Sequence, residues 1–230
     1  MNKLLVTLST IAMLMLTPLA TVAGDWTIGA TLSSNSLDTA GKEDVDSDGT
    51  IDDTKNVKDD FFAGSLFLEN TIMGDRAGIT FGIDYVPFDA DVKKRSISQD
   101  SSKAAAAGAS PQSSGTNSVS ASIKDHTTYY IQPGVSFGDN SLFYFTYGFI
   151  TADINGQSSS LSHTDIRETK SMDGEKIGIG IRRVSDTGLV TKFDISESSY
   201  DKVTFTTDND TKATADLDNT AITFSIGKQF

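Results

Sequence analysis

The sequence predicts an all-β fold: an eight-stranded antiparallel up-and-down transmembrane β-barrel with four long loops at one end and three short turns at the other. Three observations predict it. Apolar and polar residues alternate in eight separate segments, the mark of strands with two unlike faces. The connections between those segments alternate long and short. The chain stops on a strand whose last residue is Phe230.

The N-terminal segment stands apart. Lys3 supplies a positive start, Leu4 to Leu16 an apolar run, Pro18 a helix breaker, and Thr21-Val22-Ala23 the small residues of a cleavage site. Residues 1–23 are expected to be a secretory signal peptide, and 24–230 the barrel domain. The apolar run is shorter than the roughly 20 residues a membrane-spanning helix needs. The chain has no cysteine, so disulfide staples and thiol chemistry are excluded. A formal net charge of −12, with no basic patch interleaved with aromatics, argues against a nucleic-acid partner.

The segments follow in order. In WTIGATLSS, Trp26, Ile28, Ala30 and Leu32 share one face, and Thr27, Gly29, Thr31 and Ser33 the other. Near 61 to 69, Phe62, Leu66 and Leu68 oppose Ala63, Ser65 and Glu69, with Phe67 out of place on the polar side. Near 77 to 86, Ile79, Phe81, Ile83 and Tyr85 oppose Thr80, Gly82 and Asp84. Near 126 to 137, Tyr129, Ile131, Val135 and Phe137 oppose Gln132, Gly134 and Ser136. Near 141 to 151, Phe143, Phe145, Tyr147 and Phe149 oppose Tyr144, Thr146 and Gly148. Near 174 to 184, Ile177, Ile179 and Ile181 oppose Gly178, Gly180 and Arg182. Near 189 to 197, Phe193 and Ile195 oppose Lys192 and Asp194. Near 219 to 230, Ile222, Phe224, Ile226 and Phe230 oppose Thr223, Ser225, Gly227 and Gln229. Residues 34–60, 87–125, 152–173 and 198–218 read as long loops, and 70–76, 138–140 and 185–188 as short turns. Outer-membrane barrels have long outside loops and short periplasmic turns, with both termini at the turn end.

Alternation alone does not say which face meets which solvent, and a soluble eight-stranded barrel has the same period. Mid-strand charges of both signs on the polar face (Glu69, Asp84, Arg182, Lys192 and Asp194) favour pairing inside a barrel. Aromatics gather at both strand ends: Trp26, Phe137, Phe143 and Phe230 at the turn end, and Tyr85, Phe88, Tyr129 and Phe149 at the loop end. Such girdles suit two membrane interfaces.

The terminal ITFSIGKQF, with Ile222, Phe224, Ile226 and Phe230 on one face, resembles the C-terminal assembly signal of bacterial outer-membrane barrels. With eight strands, the whole chain after the leader resembles the small OmpA/OmpX-type outer-membrane proteins. The resemblance implies location in the outer membrane of a Gram-negative-type cell, outer-membrane lipid and the barrel-assembly machinery as partners, and a monomer. Lys228 stands where that signal usually has an apolar residue, and its stem is expected to snorkel to headgroups. Pro133 sits mid-strand in a closed ring, so a lost ladder bond or a bulge is expected there.

Two groups of residues hint at chemistry. DVDSDGTIDD, in the first long loop, follows the front half of an EF-hand-type loop: Asp44, Asp46 and Asp48 at the carboxylate positions, Gly49 at the turn, Thr50 for a carbonyl, and Asp52. The closing glutamate is replaced by Lys55, and Asp53 is the nearest substitute. The alternative is a solvated acidic loop. As a calcium site it would be weak, roughly in the 10⁻⁴–10⁻³ M range of extracellular modules. Among the histidines, Ser162-His163 with Asp165 or Glu168, and His126 next to Asp125, are the only candidate catalytic groups. A long loop is a poor scaffold for such geometry, so no catalytic residue is assigned and no enzyme activity is expected.

The low-complexity stretch 96 to 122 reads as a flexible surface loop. An eight-stranded barrel is just wide enough for its own side chains, so the interior charges are expected to plug it. Inward glycines at 29, 82, 134, 148, 178, 180 and 227 leave room for a narrow path, so a small-solute channel is the alternative. The expected role is structural or adhesion-like: acidic loops held at the cell surface for an extracellular partner. A rim hydrolase acting on lipid or peptide is a third reading.

Overall fold

The computed structural model describes residues 24–44, 49–51, 53–99, 115–138, 140–159, 167–206 and 212–230. They form β1 (Asp25–Asp44), β2 (Asp53–Met73), β3 (Ala77–Tyr85), β4 (Ala90–Gln99), β5 (Gly115–Ser136), β6 (Ser141–Ser159), β7 (Arg167–Val184), β8 (Leu189–Thr206) and β9 (Lys212–Gln229). All pairings are antiparallel. The order β3-β2-β1-β9-β8-β7-β6-β5-β4 closes on itself because β3 also pairs with β5. β4 continues the line of β3 along β5, so the two share one position and the ring has eight strands. The β1–β9 ladder, from Thr27↔Gln229 to Asp44↔Lys212, brings the two ends of the described chain together.

The long connections expected from the sequence are mostly strand. β1 and β2 stay paired up to Glu43↔Asp53, so much of 34–60 is ladder, not loop. β4 and the start of β5 likewise place 96–99 and 115–122 in strands, within the stretch expected to be a flexible loop. On β1 the alternation is hidden because the outward Ser34, Asp38 and Lys42 are polar. The segment 1–23, Asp46, Asp48, Asp52 and the Ser162-His163-Asp165 group lie outside the described residues.

The solvent question is settled by which face is buried. Thr27, Glu69, Thr80, Gln132, Arg182, Lys192 and Ser225 are buried inside the ring. Leu32, Phe62, Phe81, Phe143, Ile179, Phe193 and Phe224 point outward and are exposed. An exposed apolar belt running around the whole barrel is far larger than a soluble surface tolerates, whereas in a bilayer it is the lipid-facing band. The protein is therefore a transmembrane barrel of the outer-membrane kind.

Both faces change character at one level. Outward residues turn from apolar to polar between Leu32 and Ser34, Phe149 and Thr151, Ile177 and Glu175, Ile195 and Glu197, and Ile222 and Thr220. Inward residues turn the opposite way, to a cluster of Leu37, Ile123, Ile150, Met172, Tyr200, Val203, Phe205 and Leu217. Below the switch the barrel is solvated inside-out; above it, the same strands form a water-soluble barrel with an apolar core. Strand length agrees. β1 has 20 residues and β5 has 22, about twice the 9–11 that cross a bilayer as tilted strands.

Irregularities on β5 and between β3 and β4 shape the wall. Asp125, at φ 50°, marks a bulge between Lys124 and Thr127 that returns His126 to the inward face. Across from β6, β5 loses its pairing at Gln132 and Pro133 with no register shift, the lost ladder bond expected of this proline rather than a bulge. Pro87, lacking an N–H, stands in the break between β3 and β4. β2 pairs with β3 only from Leu66↔Tyr85 to Met73↔Gly78. Above Leu66, no pairing among the described residues joins β2 to β4, while β4 stays on β5 and Val86 N–H donates to the His126 carbonyl. The wall thus parts along a seam that begins at the aromatic level of Tyr85. Lipid-exposed strand edges are not tolerated in hydrocarbon, so the seam opens where water can reach it.

Candidate functional site: the barrel lumen

The lumen floor is built by polar groups that β2, β5, β6 and β8 aim at the axis. Lys192 of β8 pairs with Glu69 of β2, and both side chains are almost fully buried. Tyr130 Oη donates to Glu69 Oε1 at 2.8 Å, Lys192 Nζ donates to Gln132 Oε1 at 3.1 Å, and Gln132 Nε2 donates to Thr146 Oγ1 at 3.0 Å. The ammonium also lies over three rings, 5.4 Å from Phe67, 5.5 Å from Tyr130 and 5.3 Å from Tyr144. Tyr144 Oη donates to Asp194 at 2.5 Å. Nearer the turns, Arg182 Nη2 donates to Thr27 at 3.1 Å and to Gln229 at 2.8 Å. Burying these charges is tolerable because each has an opposite charge or hydrogen-bond partner.

The inward glycines do not leave a path. A Cβ at Gly29 would lie 2.5 Å from the Phe67 ring, one at Gly227 2.9 Å from it, and one at Gly180 2.6 Å from the Tyr144 ring; one at Gly82 would strike Tyr130. At these four positions the space glycine frees is filled by an aromatic from another strand. Phe67, out of place when β2 is read alone, belongs inside.

Above this floor lies a cavity of about 120 Å³. Asp84, Lys176, His126, Ser198, Asn219 and Thr223 are among its walls. Ser65 Oγ donates to Asp84 at 2.7 Å. His126 Nε2 lies 3.0 Å from Tyr200 Oη, and its Nδ1 is buried without a partner. Burial, and then the nearby Lys176 charge, hold the His126 imidazole down to about 4, and burial pushes the Tyr200 phenol up. Lys176, half-buried, makes no hydrogen bond or ion pair among the described residues.

The five interior charges expected from the sequence all reach the lumen. Four surround the floor or the turns below it, and Asp84 faces the cavity. Lys176 and Tyr130 were missed, and His126, read from the sequence only as a candidate beside Asp125, faces the cavity. Lys176 shares the parity of Gly178 and Arg182, so the signal was present. Of the calcium candidates, Asp44 is buried and its Oδ2 accepts from Gly49 N–H at 3.1 Å, with Gly49 at φ 91°. The backbones of Thr50 and Asp53 are described, and among the described residues no group of three metal-ligating side chains forms. The Lys228 ammonium donates to the Thr187 carbonyl and caps the β7–β8 turn. At the C-terminus, Ile222, Phe224, Ile226 and Phe230 all face outward.

Family models and curated protein sequences gave no match to the chain. Solved structures are similar in fold. The outer membrane protein OprG from Pseudomonas aeruginosa is 16% identical, with 90% of this chain and 96% of that one covered and a TM-score of 0.52. The outer membrane protease OmpT from Escherichia coli is 8% identical, covering 91% of this chain and 98% of that one at a TM-score of 0.48. Ail, the attachment invasion locus protein of Yersinia pestis, is 14% identical, covering 90% and 99% at a TM-score of 0.40. At these identities the likeness speaks to the fold, and OprG is the one of the three whose score supports it.

Proposed function

We propose that this protein is a non-conducting outer-membrane anchor whose work is done by the half-barrel that stands above the membrane. One observation carries this reading: the upper strands have an apolar core of their own and a polar, charged outer wall. Crossing the bilayer needs neither. The wall carries Asp38, Lys58, Asp173, Glu197, Asp201 and Lys202, all exposed. Its ion pairs, such as Lys58–Asp38 and Lys202–Asp216 at 3.4 Å, lie in water. There they contribute about 0–1 kcal/mol each and leave the charges free for a partner. The packed floor disfavours a solute channel, which stays the second reading.

Display on a non-adherent bacterium tests the proposal. Cells carrying the full barrel are retained several-fold above vector on at least one host-cell or matrix-coated surface. A variant with the four upper hairpins cut back to short turns at the membrane level returns to vector, while still folding by heat-modifiable gel migration. Retention by the shortened barrel, or vector-level retention by the full one on every surface, contradicts the reading. In planar bilayers the full barrel gives no steady nanosiemens openings.

A further inference from the structure

We propose that the lumen cavity is a binding site for a small carboxylate-bearing amphiphile that enters sideways, through the seam between β2 and β4. Access comes first. Below, the cavity ends on the Lys192–Glu69–Tyr130–Gln132 network. Above, it ends on Leu37, Ile123 and Tyr200 of the apolar cluster. The remaining side is where β2 and β4 part, and residues from both lips line the cavity: Phe61, Ala63 and Ser65 from β2, and Val86, Phe88 and Ala90 from the broken strand. Except for Ser65 the lips are apolar. Phe62 and Phe88, 76% and 73% exposed, flank them on the outside at the interfacial aromatic level. A molecule reaching this mouth comes from the lipid–water interface, where amphiphiles collect.

Size and charge define the class. A dry cavity of about 150 Å³ in another protein holds a benzene, so about 120 Å³ here suits a single ring or a chain of a few carbons. Lys176 is the one cation in the wall with no hydrogen bond or ion pair among the described residues, whereas Lys192 is held by Glu69. The Lys176 charge acts on Asp84 and His126 across the cavity, but no acceptor among the described residues touches it, and a partly buried ammonium without a direct partner is what a carboxylate would satisfy. Asp84 is the opposing charge in the same wall, and Ser65 donates to it from β2. The carboxylate therefore sits at Lys176 with its apolar body toward Leu37, Phe61 and Tyr200.

Titration of the refolded barrel in zwitterionic micelles with 4-fluorobenzoate, followed by ¹⁹F NMR, tests this. Wild type gives saturable binding; Lys176→Met weakens it at least tenfold; Ala63→Phe, which fills the mouth, weakens it similarly. Benzylamine, with the same ring and the opposite charge, does not compete. Both variants keep heat-modifiable migration, so the loss is not unfolding. No saturable binding by wild type, equal binding by Lys176→Met, or competition by benzylamine overturns the carboxylate site. Unchanged binding in Ala63→Phe overturns entry through the seam.

Discussion

Glu69→Leu destabilises the barrel by about 3–5 kcal/mol, because it strands a buried charge. Glu69 is fully enclosed and Lys192 is 5% exposed, so water cannot replace the lost carboxylate. Gln132 and three aromatic faces remain around the ammonium. They solvate it only in part, since a desolvated cation over a ring gains about 2 kcal/mol. The Tyr130 hydroxyl loses its acceptor in the same change. Glu69→Leu combined with Lys192→Met removes both charges and recovers most of the stability, because a buried pair replaced by apolar groups of similar volume is often neutral. Urea unfolding in zwitterionic bilayers, read from the fluorescence of Trp26, the sole tryptophan, measures both. A loss below about 1 kcal/mol in the single variant would mean that water reaches the floor and the lumen is not sealed.

Acidification destabilises the barrel through His126 by about 2–3 kcal/mol between neutral pH and pH 4.5. His126 lies above the apolar band. Burial first, and then Lys176, lower its pKa from 6.5 to about 4. Above pH 6.5 the imidazole is neutral in both states and the full stability is present. Between 6.5 and about 4 the unfolded chain takes up a proton that the folded barrel refuses, so stability falls as pH falls; below about 4 the loss is complete. Lys176, Tyr200 and Asp84 face the same cavity. In His126→Gln those neighbours are unchanged, so the difference between variant and wild type isolates the imidazole. The variant's profile is flatter by about 2–3 kcal/mol over this window. Superimposable profiles would place the imidazole in contact with water.

The membrane half of the fold was legible in the sequence because lipid and lumen impose opposite chemistry at a period of two. The upper half was not. There the outward face is polar and the inward face apolar, so one strand read end to end shows its pattern inverting and fading. On β8 the bulge between Tyr200 and Val203 also shifts the parity of Val203 and Phe205. The lumen was legible as a set of charges but not as a plug. Which glycine admits which aromatic depends on residues that meet across the ring, as Phe67 does with Gly29 and Gly227. The seam was hidden for a similar reason. Pro87 signals a break in one strand, but only the pairing shows that β2 loses its neighbour there while β5 keeps its own.

The level at which both faces switch is the centre of this account, and a chain without cysteine is well suited to locating it. Single spin labels at Phe193, Ile195, Glu197 and Ser199, successive outward positions of β8, can be compared in reconstituted bilayers by their collisions with oxygen, which concentrates in lipid, and with a polar nickel complex, which stays in water. Labels at 193 and 195 favour oxygen, those at 197 and 199 favour nickel, and the reversal falls between Ile195 and Glu197. Nickel-accessible labels at all four positions would contradict the membrane band; oxygen-favouring labels at all four would contradict the water-exposed upper barrel.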